Sequence, residues 1–402
     1  MNSIILKQSY ATVILLMVVL VATQRAFAER EITGNINLSS RSFLESHRWN
    51  GQDSETLQVA LSGNVEFRWQ GDQTRLSIIP SARYDATDDE RSIVDLSEAY
   101  WALEAGNYEL LVGINTVFWG VAESVHLVDI INQTDAAADI DGEDKLGQPM
   151  INLELQRDWG RLSAYLLPYF RERTFAGEAG RLRTPIPVDS DNAVYQSGAE
   201  QSHLDVAFRY SHFFGDIDLG VSVFAGTSRE PRFISAPNNN RLIPFYDQIR
   251  QLSIDLQYTG DTWLWKLEAI TRETQHDTFV AAVGGFEYTF FQVRESAADI
   301  GVLLEAQYDN RASDEPNVLS DNDIFSGLRL ALNDSQDTSL LAGLVYDWKT
   351  AETFINIEAE RRIGESFLLE LRSRLFTNVE PSDQSFAFAQ DDYLELQVSW
   401  YF

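Results

Sequence analysis

The 402-residue chain has no cysteine, so it holds no disulfide and no thiolate metal site. It is poor in basic residues, with 31 Lys and Arg against 61 Asp and Glu. The resulting formal charge of −30 excludes the basic footprint that nucleic acid or an anionic membrane surface requires. Long apolar runs are lacking too. The longest, from Ala11 to Ala22, is about 12 residues against the ~20 of a spanning helix. With Lys7 before it and Ala26-Phe27-Ala28 after it, that run predicts a secretory signal peptide over residues 1–28. No G-x-S-x-G, H-E-x-x-H or Gly-rich phosphate loop surrounds the five histidines or any other group, which argues against an enzyme. No cofactor and no metal is expected. The acidic run Asp139 to Asp144 lacks the ligand spacing of a calcium hand.

What is present is alternation. Leu57, Val59, Leu61, Val65, Phe67 and Trp69 fall on one face of a strand, and Gln58, Ser62, Asn64, Glu66, Arg68 and Gln70 on the other. The same period of two recurs through Leu204–Tyr210, Leu252–Tyr258, Val302–Tyr308 and Leu394–Phe402. Each run holds about 10–14 residues, enough to cross a bilayer at a tilt, whereas strands of soluble domains average ~5–6. Short turns such as Gly71-Asp72, Gly106-Asn107, Gly215-Asp216 and Gly260-Asp261 alternate with long polar loops near 44–55, 120–148, 173–201, 229–247, 310–321 and 378–388. Aromatic residues gather at the ends of the runs, where interfacial girdles belong. The pattern predicts an all-β chain: one antiparallel transmembrane β-barrel over 29–402, of about 18 strands within a range of 14–18. Short periplasmic turns and long extracellular loops would join the strands.

The ending, with Trp400 and Phe402, resembles the C-terminal signal of Gram-negative outer-membrane barrels. That resemblance implies the barrel-assembly machinery as a partner and the cell outer membrane as the location. A second resemblance lies between Asp95 and Asp135. The strand carrying Glu98-Ala99-Tyr100, the Trp119-Gly120 pair and the loop running through Asn132 are similar to an outer-membrane family of unknown function, domain 1302. It implies a porin-like barrel. One departure is visible, Gln133 where that family usually has proline after the asparagine.

The loop at 120–148 is the candidate pore constriction, since a long loop folded into a lumen sets its charges against passing solutes. It carries Glu123, Asp129, Asp135, Asp139, Asp141, Glu143 and Asp144 against Lys145 alone. Facing it from inward strand positions, the expected basic wall is Arg68, Arg83, Arg209, Arg329, Arg372 and Arg374. The reading that fits best is a porin-like channel for passive diffusion of small solutes through a water-filled lumen. Lipopolysaccharide and outer-membrane lipid would surround it, in an assembly that could be a homotrimer. Two alternatives stay open. The inward apolar positions Ile79, Leu111, Leu167, Phe224, Leu264, Leu303, Leu341 and Leu368 would suit a carrier of hydrophobic or amphipathic solutes, and the 173–201 loop would suit a surface adhesin or scaffold.

Overall fold

The structure, a computed structural model, describes residues 29–237 and 240–402; the expected signal peptide lies outside the described residues. In chain order the strands begin with β1 (Glu29–Phe43), β2 (Leu57–Gln70), β3 (Thr74–Asp85), β4 (Ile93–Ala105), β5 (Tyr108–Asn115), β6 (Gln148–Arg157) and β7 (Gly160–Leu167). They continue with β8 (Val194–Tyr195), β9 (Asp205–Phe214), β10 (Ile217–Thr227), β11 (Arg232–Ser235), β12 (Leu242–Tyr246), β13 (Gln248–Thr259) and β14 (Trp263–Glu273). The last are β15 (Thr278–Phe290), β16 (Asp299–Asp309), β17 (Asp323–Ala331), β18 (Ser339–Asp347), β19 (Thr353–Ile363), β20 (Phe367–Thr377) and β21 (Tyr393–Tyr401).

Eighteen of these form one antiparallel sheet, and it closes because β1 pairs with both β2 and β21. Leu38 stands opposite Leu61 on one side and Val398 on the other. Closure leaves no open edge, the condition for a sheet to survive in hydrocarbon. The three short strands β8, β11 and β12 make a small separate sheet within the loops of the long-loop end. Parity decides what each side chain meets. On β2, Leu57, Val59 and Leu61 are exposed on the outer surface while Gln58 and Ala60 are buried inward. Exposed aromatics collect toward both rims: Tyr108, Trp159 and Trp263 near the short turns, and Tyr84, Tyr308, Tyr346 and Trp348 near the long loops.

The seam depends on a glycine. Phe402 exchanges backbone hydrogen bonds with Gly34, at 3.0 and 3.1 Å, and its ring lies over that residue. A Cβ on Gly34 would meet the Phe402 ring at 2.8 Å, so the terminal aromatic occupies the space a side chain would take.

The alternation of turn and loop is less regular than the sequence suggests. A turn over 291–298 joins β15 to β16, and short links at 274–277 and 348–352 occur on the long-loop side. The candidate loop itself is 116–147, since Gln148 already belongs to β6.

Candidate functional site: the loop inside the barrel

Residues 116–147 fold into the lumen, which raises the question of where their backbone hydrogen bonds go. A loop without a ladder must find a partner for every buried N–H and C=O. Here charged chains of the wall and neighbouring loops supply them. Glu268 on β14, fully buried, accepts from the amides of Val121 at 2.7 Å, Ala122 at 2.9 Å and Val128 at 3.2 Å. Glu305 on β16, also buried, accepts from the amides of Glu123 and Ser124, both at 2.9 Å, and from the Ser124 hydroxyl at 2.6 Å. Arginines donate to the carbonyls. Arg229 donates to Ile131 O at 3.1 and 3.2 Å, and Arg91 to Ala137 O and Ala138 O, each at 3.0 Å. Hydrogen bonds to charged groups contribute about 1.5–3 kcal/mol each, roughly twice the neutral kind.

Apolar packing completes the anchoring. Trp119, Val128, Ile130 and Ile131 of the loop bury against Leu111, Leu167, Phe224 and Ile270 of the wall. The inward apolar positions that suggested a greasy track are therefore covered by the loop at Leu111, Leu167 and Phe224. Trp119 also stands edge-on to Tyr165, with the Arg209 guanidinium 5.1 Å from its ring.

Asn132 clasps the neck of the loop. Its Nδ2 donates to Asn115 O at 3.0 Å and Leu146 O at 2.9 Å, while its Oδ1 accepts from the Val117 amide at 2.9 Å. Gln133, fully buried, donates to Arg171 O at 3.1 Å and accepts from the Thr134 amide at 3.0 Å. Replacing Asn132 with Ala should leave buried partners unsatisfied at a cost of roughly 1–3 kcal/mol each. Hydrogen exchange by mass spectrometry should then show faster exchange over 116–132 with the strand amides still protected; unchanged loop protection would contradict the clasp.

The expected acidic residues divide into three groups. Glu123, Asp135, Asp139 and Asp141 meet the wall: Glu123 pairs with Arg329 at 2.8 Å and Lys266 at 3.4 Å, and Asp135 with Arg83 at 2.9 Å. Asp139 accepts from the Tyr393 hydroxyl at 2.8 Å and lies 3.6 Å from Arg374, which reaches Asp141 at 2.8 Å. Within the loop, Asp129 pairs with Lys145 at 3.0 Å and Glu143 with His126 at 2.8 Å. Asp144 is exposed to the lumen and contributes its carbonyl to the Asp135 amide. Asp139 and Asp141 are thus engaged by arginine and tyrosine, an arrangement unlike a calcium cage.

The expected basic wall divides likewise. Arg83, Arg329 and Arg374 meet the loop acids. Arg209 makes a two-pronged pair with Asp255 of β13, at 2.7 and 2.8 Å, and reaches the loop at Trp119. Arg372 stands 3.8 Å from Glu370. Arg68 does not belong to this group: it pairs with Glu66 of its own strand at 3.0 Å, and β2 carries it to the short-turn end, away from the loop. Of the motif residues, Glu98 accepts from the Ser77 hydroxyl at 2.7 Å, Tyr100 packs beside the interior core, and Gly120 takes φ 145°, with Glu268 3.0 Å from where a Cβ would stand.

Burial and neighbours set the ionisation of the loop. Burial works to lower the His126 pKa, but the Glu143 hydrogen bond and charge, with Glu268 and Asp129, outweigh it and move it up. Burial and then the Asp139 charge push Asp141 up to about 6. Asp139 goes the other way: burial favours its neutral form, but Arg41 and Arg374 hold it below the usual carboxylate range.

Space remains along the loop's free edge. A cavity of about 330 Å³ opens toward the long-loop mouth and another of about 360 Å³ lies deeper in the barrel. Both are lined by Ser124, His126, Asp141, Glu143, Val345 and Phe354, which makes these residues the neck between them. Ser124 donates its hydroxyl to Glu305, so it is not paired with His126 as a nucleophile with its base. At the mouth, Asp321, Asp323 and Asp347 bring carboxylate oxygens within 4.8 Å of one another.

Solved structures share this architecture. OccK2 (OpdF) of Pseudomonas aeruginosa, crystallised with glucuronate, superposes with a TM-score of 0.56 at 12% identity, covering 94% of this chain and 99% of that one. The chain has the fold of an outer-membrane porin-like barrel. OpdQ of the same organism gives 0.55 at 12% identity, with 94% and 99% covered. Wzi of Escherichia coli, described as a carbohydrate-binding barrel involved in group 1 capsule assembly, gives 0.54 at 10% identity, covering 90% and 83%. No family model matches the chain, and no curated protein does.

Proposed function

We propose that this protein is an outer-membrane channel that passes small solutes by passive diffusion, with residues 116–147 as its pore constriction. The observation that carries the reading is the neck: two open cavities meet at His126, Asp141 and Glu143 of the inserted loop and Phe354 of the wall. On this reading the acids from Glu123 to Asp144 and the arginines at 83, 329, 372 and 374 set the local field. The motif order through Glu98, Trp119 and Asn132 supports kinship with the family of unknown function named above. The exposed apolar band supports contact with outer-membrane lipid and lipopolysaccharide, and the Trp400–Phe402 end supports recognition by the barrel-assembly machinery. A homotrimer is expected from chain length alone.

Of the inward apolar positions behind the carrier alternative, Leu111, Leu167 and Phe224 lie under the loop, while Leu341 still lines the deeper cavity. Swelling of proteoliposomes in neutral sugars of graded size tests the channel directly. Monosaccharides should enter and long oligosaccharides should not; exclusion of both by correctly folded protein would overturn the proposal.

A further inference from the structure

One side of the lumen is acidic from the mouth to the neck. At the mouth, Asp321, Asp323, Asp347, Glu352 and Asp383 line a recess of about 200 Å³ in which Lys349 is the one cation among the described residues. That recess shares Val345, Glu352, Phe354 and other residues with neighbouring cavities, so it opens into the space above the neck. Below Phe354 the same side continues through Asp141, Glu143 and Glu358. Arg374 is the wall cation there, and three carboxylates lie within 4 Å of it: Asp141 and Glu358 at 2.8 Å and Asp139 at 3.6 Å. Arg41, 3.9 Å from Asp139, is the second cation of the cluster, but it is also bound to Glu395 at 2.5 Å, so two guanidiniums face four carboxylates and the neck stays negative.

The opposite side is different. Arg272 and Arg311 close on Glu230 at 2.5 and 3.3 Å, Arg311 also on Asp309 at 2.8 Å, and Arg229 on Asp205 at 2.6 Å. Arg173 has no carboxylate partner at ion-pair distance among the described residues and bonds Gln133 Oε1 at 3.4 Å. Neutralised pairs project little field, whereas an unbalanced row in a low-dielectric channel concentrates counter-ions.

We infer that cations, both alkali ions and small organic ammonium or guanidinium solutes, cross this lumen along the acidic lane on the β17–β21 side. The inference rests on the channel reading. It also predicts a direction with pH. Asp141 faces Asp139, Glu143 and Asp144 of the loop, Glu358 of β19, and Arg372 and Arg374 of β20. His126 faces Glu143 and Asp129 of the loop and Glu268 of β14, and Glu143 faces Lys145 as well. With Asp141 pushed up to about 6, acidification through that value removes a negative charge from the neck, and protonation of His126 adds a positive one. Both changes lower the cation preference.

The test is the reversal potential of the refolded full chain in a planar bilayer under a KCl gradient. The parent should favour K⁺ over Cl⁻ by roughly threefold or more at pH 7.5, with less preference at pH 5. Glu143→Gln, Glu352→Gln and Glu358→Gln together keep side-chain size and hydrogen bonding and should at least halve that ratio. Glu295→Gln with Glu365→Gln, exposed at the short-turn end, should leave it unchanged. A parent ratio at or below one, or a ratio the triple variant does not move, overturns the lane while leaving the channel standing. A silent but folded barrel overturns both.

Discussion

Substituting Ala at both Glu268 and Glu305 should raise the single-channel conductance severalfold and make it noisy, with the barrel still folded. The two carboxylates accept six hydrogen bonds from residues 121–128, and among the described residues no cation lies within ion-pair distance of either. Their only work on this account is to hold the loop. At about 1.5–3 kcal/mol per charged hydrogen bond, and without full additivity, their loss exceeds what Trp119 and Ile131 alone can offset. The freed amides would find lumen water, so the loop can leave the wall without straining the strands. A heat-dependent shift in gel migration between unheated and boiled protein would confirm folding. Parent-like conductance in the folded double variant would show that other contacts fix the loop.

The second large effect is expected at Arg374. Its side chain is fully buried and sits among Asp139, Asp141 and Glu358. Arg374→Met removes the cation and leaves Asp139, buried beside Tyr393, with Arg41 at 3.9 Å as its remaining cation. Breaking a buried ionic cluster on one side typically costs about 3–5 kcal/mol, most of it from the stranded charge. The midpoint of urea unfolding in lipid should fall accordingly. Adding Asp139→Asn should recover part of the loss, because it removes the charge left unpaired. If the second substitution deepens the loss instead, Asp139 is not the group that Arg374 neutralises.

Much of this was legible in the sequence because barrel strands have a period of two. That period placed Leu57 outward and Gln58 inward, and it put Arg83, Arg329 and Arg374 where they meet the loop. It could not separate Arg68 from them, since parity gives a face and not a height: Arg68 is inward but one rim away. Glu268 and Glu305 had the same inward parity as the arginines. What hid them was the assumption that an acidic loop needs a basic wall, when its backbone amides need an acidic one. Arg91 and Arg229 lie in connections, where no periodicity marks them. The apolar stretch Val128–Ile131 reads oddly for a polar loop until it is seen packed under Leu111 and Phe224.

The account stands most directly on single-channel recording of the refolded parent protein in a planar bilayer. It predicts steady, stepwise conductance with a definite reversal potential, set by a lumen narrowed at His126, Asp141, Glu143 and Phe354. Silence from a barrel that migrates as folded protein would contradict it and mean that the inserted loop closes the lumen.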